Sequence, residues 1–208
     1  MKIFSTLFLI CCTAVSFCAE PYPVKDYSAL LNMPGFNSSL LEMHFKLYAG
    51  YVKNTNDLMK TLETVNSGSY EYGALKRRLG WEFDGMRLHE LYFENLGGSR
   101  EADNNSEIYK NLEKSFGSFK NWEEDFLATA KMRGIGWVIL YQDENGELLN
   151  FWINEHDGGH PVGLKPVLVL DVFEHAYFLD FGKDRAAYLE VFMKNINWEV
   201  VEKRLKIA

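Results

Sequence analysis

The chain holds five histidines, at positions 44, 89, 156, 160 and 175. His175 follows Asp171 by four residues, with Glu174 beside it, directly after the run Val167-Leu168-Val169-Leu170. An unbroken apolar run of this kind, bounded upstream by Pro166, reads as a strand buried on both faces. A carboxylate and an imidazole brought together where a buried strand ends suit a hard-to-borderline metal ion. The same spacing also suits a solvated acidic turn beside a core histidine. His44 shares a helical stripe with Tyr48 and Tyr51, which puts one imidazole and two phenols on one face. An aromatic core stripe with a hydrogen-bonded histidine has the same pattern. His89 sits in a second helical stretch, where a half-buried structural histidine is the plain alternative.

The elements that must position these residues are legible from period and punctuation. Pro21 to Asn37 reads as an extended arm. Apolar residues at Leu40, Leu41, Phe45, Leu47, Val52 and Leu58 predict a helix over about 38–65. Ser38 or Ser39 is placed to cap it, with Glu42 completing a capping box after Ser39. Ser67-Gly68-Ser69 breaks the pattern, and a second helix follows over about 72–95 until Gly97-Gly98 stops it. Two long helices with a short break suggest a helical hairpin. After a polar loop, two short amphipathic helices are expected at about 107–115 and 119–132, the second capped by Ser118.

Then the period changes. Residues 136–142 and 147–154 are strand-like around Asp143-Glu144-Asn145-Gly146, and Asn-Gly between such runs signals a hairpin. The strand ending at Asp171 is the third, and helices at 184–195 and 198–206 close the chain. The fold expected is α+β, with a long N-terminal helical hairpin and a C-terminal α/β half built on a small three-stranded antiparallel sheet. The divisions expected are 1–19 as a leader, 20–104 as the hairpin and 105–208 as the α/β half.

A length of 208 residues, 47% of them hydrophobic and 15% aromatic, allows one domain or two tightly packed halves with a sizeable core. A net charge of -7 argues against nucleic acid and anionic membranes as partners. Lys2 followed by the mostly apolar run 3–17 reads as a signal peptide, too short to span a membrane, with cleavage expected near the Ala19-Glu20 bond. The chain is therefore expected to be exported, periplasmic or secreted. Cys11, Cys12 and Cys18, the three cysteines, all lie in this leader, so a processed chain offers no thiolate and no disulfide. Val15-Ser16-Phe17-Cys18 fits a lipoprotein cleavage box poorly, because Phe17 precedes the cysteine.

The string Asp171-Val172-Phe173-Glu174-His175-Ala176-Tyr177-Phe178 closely resembles the D-x-W/F-E-H-A-Y-Y signature of the iron/manganese superoxide dismutases. The segment from His44 to Asn56 resembles the family's first-helix motif, H-x-x-K-H-H-x-x-Y-V-x-N-x-N, at His44, Lys46, Tyr51, Val52, Asn54 and Asn56. One residue is missing between His44 and Tyr51, and an ungapped alignment from Tyr51 puts Met43 at the ligand position. A regular helix in place of a bulged one would restore His44. The segment 83–96 resembles the second ligand motif, G-G-H-x-N-H-x-x-F-W-x-N-L, with His89 as ligand and Gly85 four residues before it. Gly134-Ile135-Gly136-Trp137 resembles G-S-G-W, and Asn197-Trp198 the closing I-N-W. The resemblance covers nearly all of residues 27–206.

This resemblance implies a mononuclear centre of His44, His89, Asp171 and His175 holding one iron or manganese ion per subunit. Superoxide would be disproportionated there to oxygen and hydrogen peroxide by one-electron cycling of that ion. It implies Tyr51 as gateway, Tyr177 as a relay residue, Trp137 as a wall, and a loop histidine facing the metal-bound solvent. His160 is preferred for that last role, with His156 as the alternative. Phe173 stands where Trp is usual. Glu174 resembles the residue that crosses a dimer interface, so a homodimer or tetramer is expected. The shortened His44 segment and the absent second-helix Gln leave a non-catalytic, metal-holding relative as the other reading.

Overall fold

A computed structural model describes residues 20–98 and 101–205. The expected leader lies outside the described residues. Two helices of 25 residues each, α1 (Ser38–Leu62) and α2 (Tyr70–Glu94), form the hairpin. On α1 Leu40 is buried, and from Leu41 the buried positions His44, Tyr48, Val52 and Thr55 follow at three- or four-residue spacing. This is the stripe a helix buries against a partner. The break at 67–69 ends in Ser69, whose side chain accepts the Tyr72 N–H at 3.1 Å and so starts α2.

The start of α1 differs from expectation. Both serines lie inside the helix, and Asn37 is the cap residue without a side-chain cap bond. The Asn37 side chain is engaged elsewhere: its backbone N–H and Nδ2 both donate to the Asp180 carboxylate, at 2.8 and 2.9 Å. Ser38 Oγ donates to the Leu31 carbonyl. Tertiary partners thus replace the local capping box.

The second half begins with α3 (Glu107–Phe116) and α4 (Phe119–Ala130), capped by the hydroxyls of Ser106 and Ser118. Strands β1 (Trp137–Gln142), β2 (Leu148–Ile153) and β3 (Lys165–Asp171) form an antiparallel sheet in the order β2-β1-β3. All six residues of β1 are buried, as a central strand requires. In the β1–β2 turn Asn145 does not take a positive φ. Gly146 alone does, at 85°, and the Asp143 carboxylate accepts the N–H groups of Asn145 and Glu147, both at 2.8 Å. β3 is an edge strand that includes Pro166, at a register shift where Tyr141 pairs with Pro166 and Leu140 with Leu168. A residue without an N–H is tolerated at such a place.

The chain closes through α5 (Phe178–Phe181), α6 (Arg185–Lys194) and α7 (Trp198–Lys203). One cluster of buried side chains runs through both halves. Asn95, at the end of α2, joins them. Its Oδ1 accepts the Val169 N–H at 2.9 Å, and its carbonyl accepts the Asn197 N–H at 2.9 Å. This ties the end of α2 to β3, the two elements that must hold His89 and Asp171 in register.

Candidate metal centre

Asp171 ends β3 opposite Trp137, and its Oδ1 accepts the Phe173 N–H at 2.8 Å. That bond turns the chain sharply into a 3-10 turn, Glu174–Ala176, which carries His175. It also leaves Oδ2 facing inward. His175 Nε2 lies 3.0 Å from Asp171 Oδ2, His44 Nε2 3.2 Å and His89 Nε2 3.7 Å. One ligand atom from each of the four residues falls within 4.8 Å of the others. His44, His89 and Asp171 are buried, and His175 keeps about a fifth of its side chain exposed.

The donor set fits a cation. His89 Nδ1 approaches the Gly85 carbonyl at 2.6 Å; a carbonyl only accepts, so Nδ1 carries the hydrogen and the Nε2 lone pair faces Asp171. The Nε2 atoms of His44 and His89 are buried without hydrogen-bond partners. Each such orphan costs about 1–3 kcal/mol, which a bound ion offsets. Burial lowers the pKa of His44 and holds that of His89 well below the ordinary histidine value, so both are neutral at neutral pH, the form that can donate a lone pair to a cation. Burial pushes the Asp171 carboxyl up, but the His175 imidazole hydrogen-bonded to it and the close approach of His44 outweigh that and hold it far below the usual range. Three imidazoles and one carboxylate suit iron or manganese.

α1 is an uninterrupted α-helix across the shortened segment, and it is His44 that enters the cluster. Met43 packs, partly buried, against the hydrophobic core. Tyr48 and Tyr51 share the His44 face, yet their hydroxyls diverge: Tyr48 reaches Glu90 at 3.0 Å, and Tyr51 reaches His156 Nε2 at 2.7 Å. The Tyr51 ring stacks on His89, centroids 5.1 Å apart. Gly85 makes room for it, since a Cβ there would lie 2.7 Å from Tyr51 Cδ1.

Of the two loop histidines, His156 is the one set beside the cluster. Trp137 Nε1 donates to its Nδ1 at 3.1 Å, so the network assigns the hydrogen to Nε2, which donates to the Tyr51 oxygen. Phe173 lies 4.9 Å from the same ring and stacks on His175. His160 is turned the other way: its ring bonds Tyr141 Oη and the His156 carbonyl, at 2.7 and 2.6 Å. The Tyr177 hydroxyl likewise faces away from the cluster, toward the Arg185 guanidinium at 3.3 Å, with its ring stacked on Tyr188. Glu174 is exposed. Burial first, then the Asp171 and Glu82 charges, push the Tyr51 hydroxyl up to about 12. Burial pushes His156 down to about 4. At neutral pH both are uncharged.

Two contributors were not singled out from the sequence. Trp81 packs edge-on against His156 at 4.6 Å; it lies four and eight residues before Gly85 and His89, so helical spacing could have found it. Tyr188 donates its hydroxyl to the Asp171 carbonyl at 2.7 Å and bonds Tyr92 at 3.1 Å. Only the packing of α6 against β3 reveals that pair.

A family model described as iron/manganese superoxide dismutases, C-terminal domain, matches residues 104–204. An iron superoxide dismutase of Cupriavidus metallidurans is 34% identical over 184 residues, 85% of this chain and 91% of that protein. One of Saccharolobus solfataricus is 31% identical over 205 residues, 92% of this chain and 96% of the relative. A manganese superoxide dismutase of Mycolicibacterium smegmatis is 30% identical over 189 residues, 88% of this chain and 90% of its own length.

Proposed function

Since this chain belongs to the iron/manganese superoxide dismutase family, we propose that it disproportionates superoxide at the His44–His89–Asp171–His175 centre, with one iron or manganese ion per subunit. The observation that carries this reading is the pair of buried, unpartnered imidazole nitrogens aimed at a buried carboxylate. A bound ion would supply the one-electron exchange by which one superoxide is oxidised to oxygen and a second, taking up two protons, is reduced to hydrogen peroxide.

The chain's own residues would hold the ion and manage protons. His44, His89 and His175 present Nε2, and Asp171 presents Oδ2. Trp137 fixes the His156 tautomer, and His156 Nε2–H donates to Tyr51. The Tyr51 O–H is thereby left free to point away from His156, and it stays protonated at neutral pH because its pKa is raised. A neutral, pre-oriented phenol and imidazole can pass protons without placing a charge beside an anionic substrate. This pairing supports a catalyst over a metal-holding scaffold, and it favours His156 over His160 as the group facing metal-bound solvent.

The chain is also read as exported after cleavage near Ala19-Glu20, and as a dimer through the face of Glu174. Supporting the latter, Met132 and Phe178, both about half exposed, line one groove with Glu174.

The deciding experiment is reconstitution of leaderless protein separately with iron and with manganese, reading metal content and superoxide turnover. About one ion per subunit with turnover for one metal is expected. His89→Ala should lose both while keeping most of the helical content. Full occupancy and turnover in that variant would overturn the assignment.

A further inference from the structure

We propose that Tyr141 and His160 are positioning residues that clamp the loop carrying His156, and so set where its ring meets Tyr51 and Trp137. The proposal rests on the reading that His156 is the loop histidine serving the metal centre.

The need for a clamp follows from the backbone. His156 lies between β2 and β3 in a stretch of bends, 154–159, that belongs to no ladder or helix. Buried polar backbone groups in such a stretch must find partners elsewhere. His156 is buried, with only 1% of its surface exposed, so its carbonyl needs a donor. His160 supplies it, with Nε2 at 2.6 Å from that oxygen. Because a carbonyl only accepts, His160 carries its hydrogen on Nε2, and its Nδ1 lone pair accepts the Tyr141 O–H at 2.7 Å. Tyr141 is itself buried in the central strand.

The geometry makes this more than a local turn. Trp137 and Tyr141 stand four residues apart on β1, hence on one face and about 13 Å apart along the strand. Trp137 grips the ring of His156 at Nδ1, and Tyr141, through His160, grips its backbone carbonyl. One rigid strand therefore holds both ends of the same residue. With side chain and backbone both fixed, the Nε2–H is left aimed at Tyr51. A histidine held at only one end would be free to swing its ring within the loop.

The test reads the position of His156 directly. In the full chain loaded with diamagnetic Zn(II), the Trp137 indole N–H resonance is assigned by Trp137→Phe and followed by ¹H–¹⁵N correlation. Tyr141→Phe, which removes a single oxygen, and His160→Phe should each shift that resonance and speed its exchange by about tenfold. His160→Gln keeps an N–H for the His156 carbonyl and should restore the wild-type signal. With iron or manganese, turnover should fall in the same order by about tenfold, with metal content unchanged. An unmoved Trp137 signal in His160→Phe, or a failure of His160→Gln to restore it, overturns the clamp. Indole shifts in the variants, together with a metal-loaded wild-type chain that has no turnover, uphold the clamp and sink the functional reading instead.

Discussion

Gly85 offers the sharpest perturbation of the centre without touching a ligand. A Cβ there would lie 2.7 Å from Tyr51 Cδ1 and 2.8 Å from Cε1. Carbon atoms in contact prefer about 3.5–4.0 Å, so in Gly85→Ala the Tyr51 ring must retreat by about 0.8 Å. Its room is limited, because it stacks on His89 at 5.1 Å and bonds His156 at 2.7 Å. Lengthened by the same amount, the hydroxyl–imidazole separation approaches about 3.5 Å, where the bond is lost. Stability should change little: alanine gains about 1 kcal/mol of helix propensity, while overpacking costs about 1–3 kcal/mol. The expected variant is folded and metal-loaded, with turnover reduced about 10- to 100-fold. Metal analysis, thermal unfolding and superoxide turnover on one preparation decide it. If Gly85→Ala is as active as the wild type and melts higher, Tyr51 is not held by the packing described.

His44→Ala should lose the metal, whereas Met43→Leu should keep metal and activity; plasma emission analysis of both separates the two alignments of the first helix. His156 is held at about 4 against an ordinary 6.5, so the unfolded chain binds its proton first on acidification. Its stabilising contribution is complete above about 6.5 and is lost as the pH falls toward 4; His156→Gln should reduce the drop in urea midpoint between pH 7.5 and 5, and an identical drop would refute the assignment. Glu82 is buried, with Arg78 Nε at 2.7 Å and Asn54 Nδ2 at 3.2 Å. Arg78→Ala should therefore cost about 1–3 kcal/mol by stranding a buried carboxylate, and adding Glu82→Gln should recover most of it, read as unfolding midpoints.

Much of this architecture is written in local pattern. The helix starts at Ser69, Ser106 and Ser118 are set by a hydroxyl meeting an N–H three residues on, a bond that needs no distant partner. The strand ending at Asp171 is legible because β3 is buried from Val167 to Asp171 and so carries an apolar run. The start of α1 departs from the local pattern for the complementary reason. Asn37 takes the cap position and spends its side chain on Asp180, 143 residues away, a partner no local rule can see. The β1–β2 turn kept its place, but its conformation was settled by the Asp143 side chain and left-handed Gly146 rather than by Asn145.

His89, Asp171 and His175 and their order along the chain are legible in the sequence, through a helical stripe and one tight turn; between Met43 and His44 the sequence does not choose, and the regular α1 places His44. What only the tertiary structure decided is where the polar groups around them point. Loop 154–164 has no period, so nothing local separates His156 from His160. The choice rests on Trp137 and Tyr141 reaching across from β1 to two different rings. Tyr177 follows His175 by two residues, yet its hydroxyl is drawn to Arg185 from the next helix. A hydrogen bond is directional and short, and its partner comes from wherever the folded chain puts one. Periodicity can place a side chain on a face, but the donor or acceptor opposite it is a property of the packed molecule.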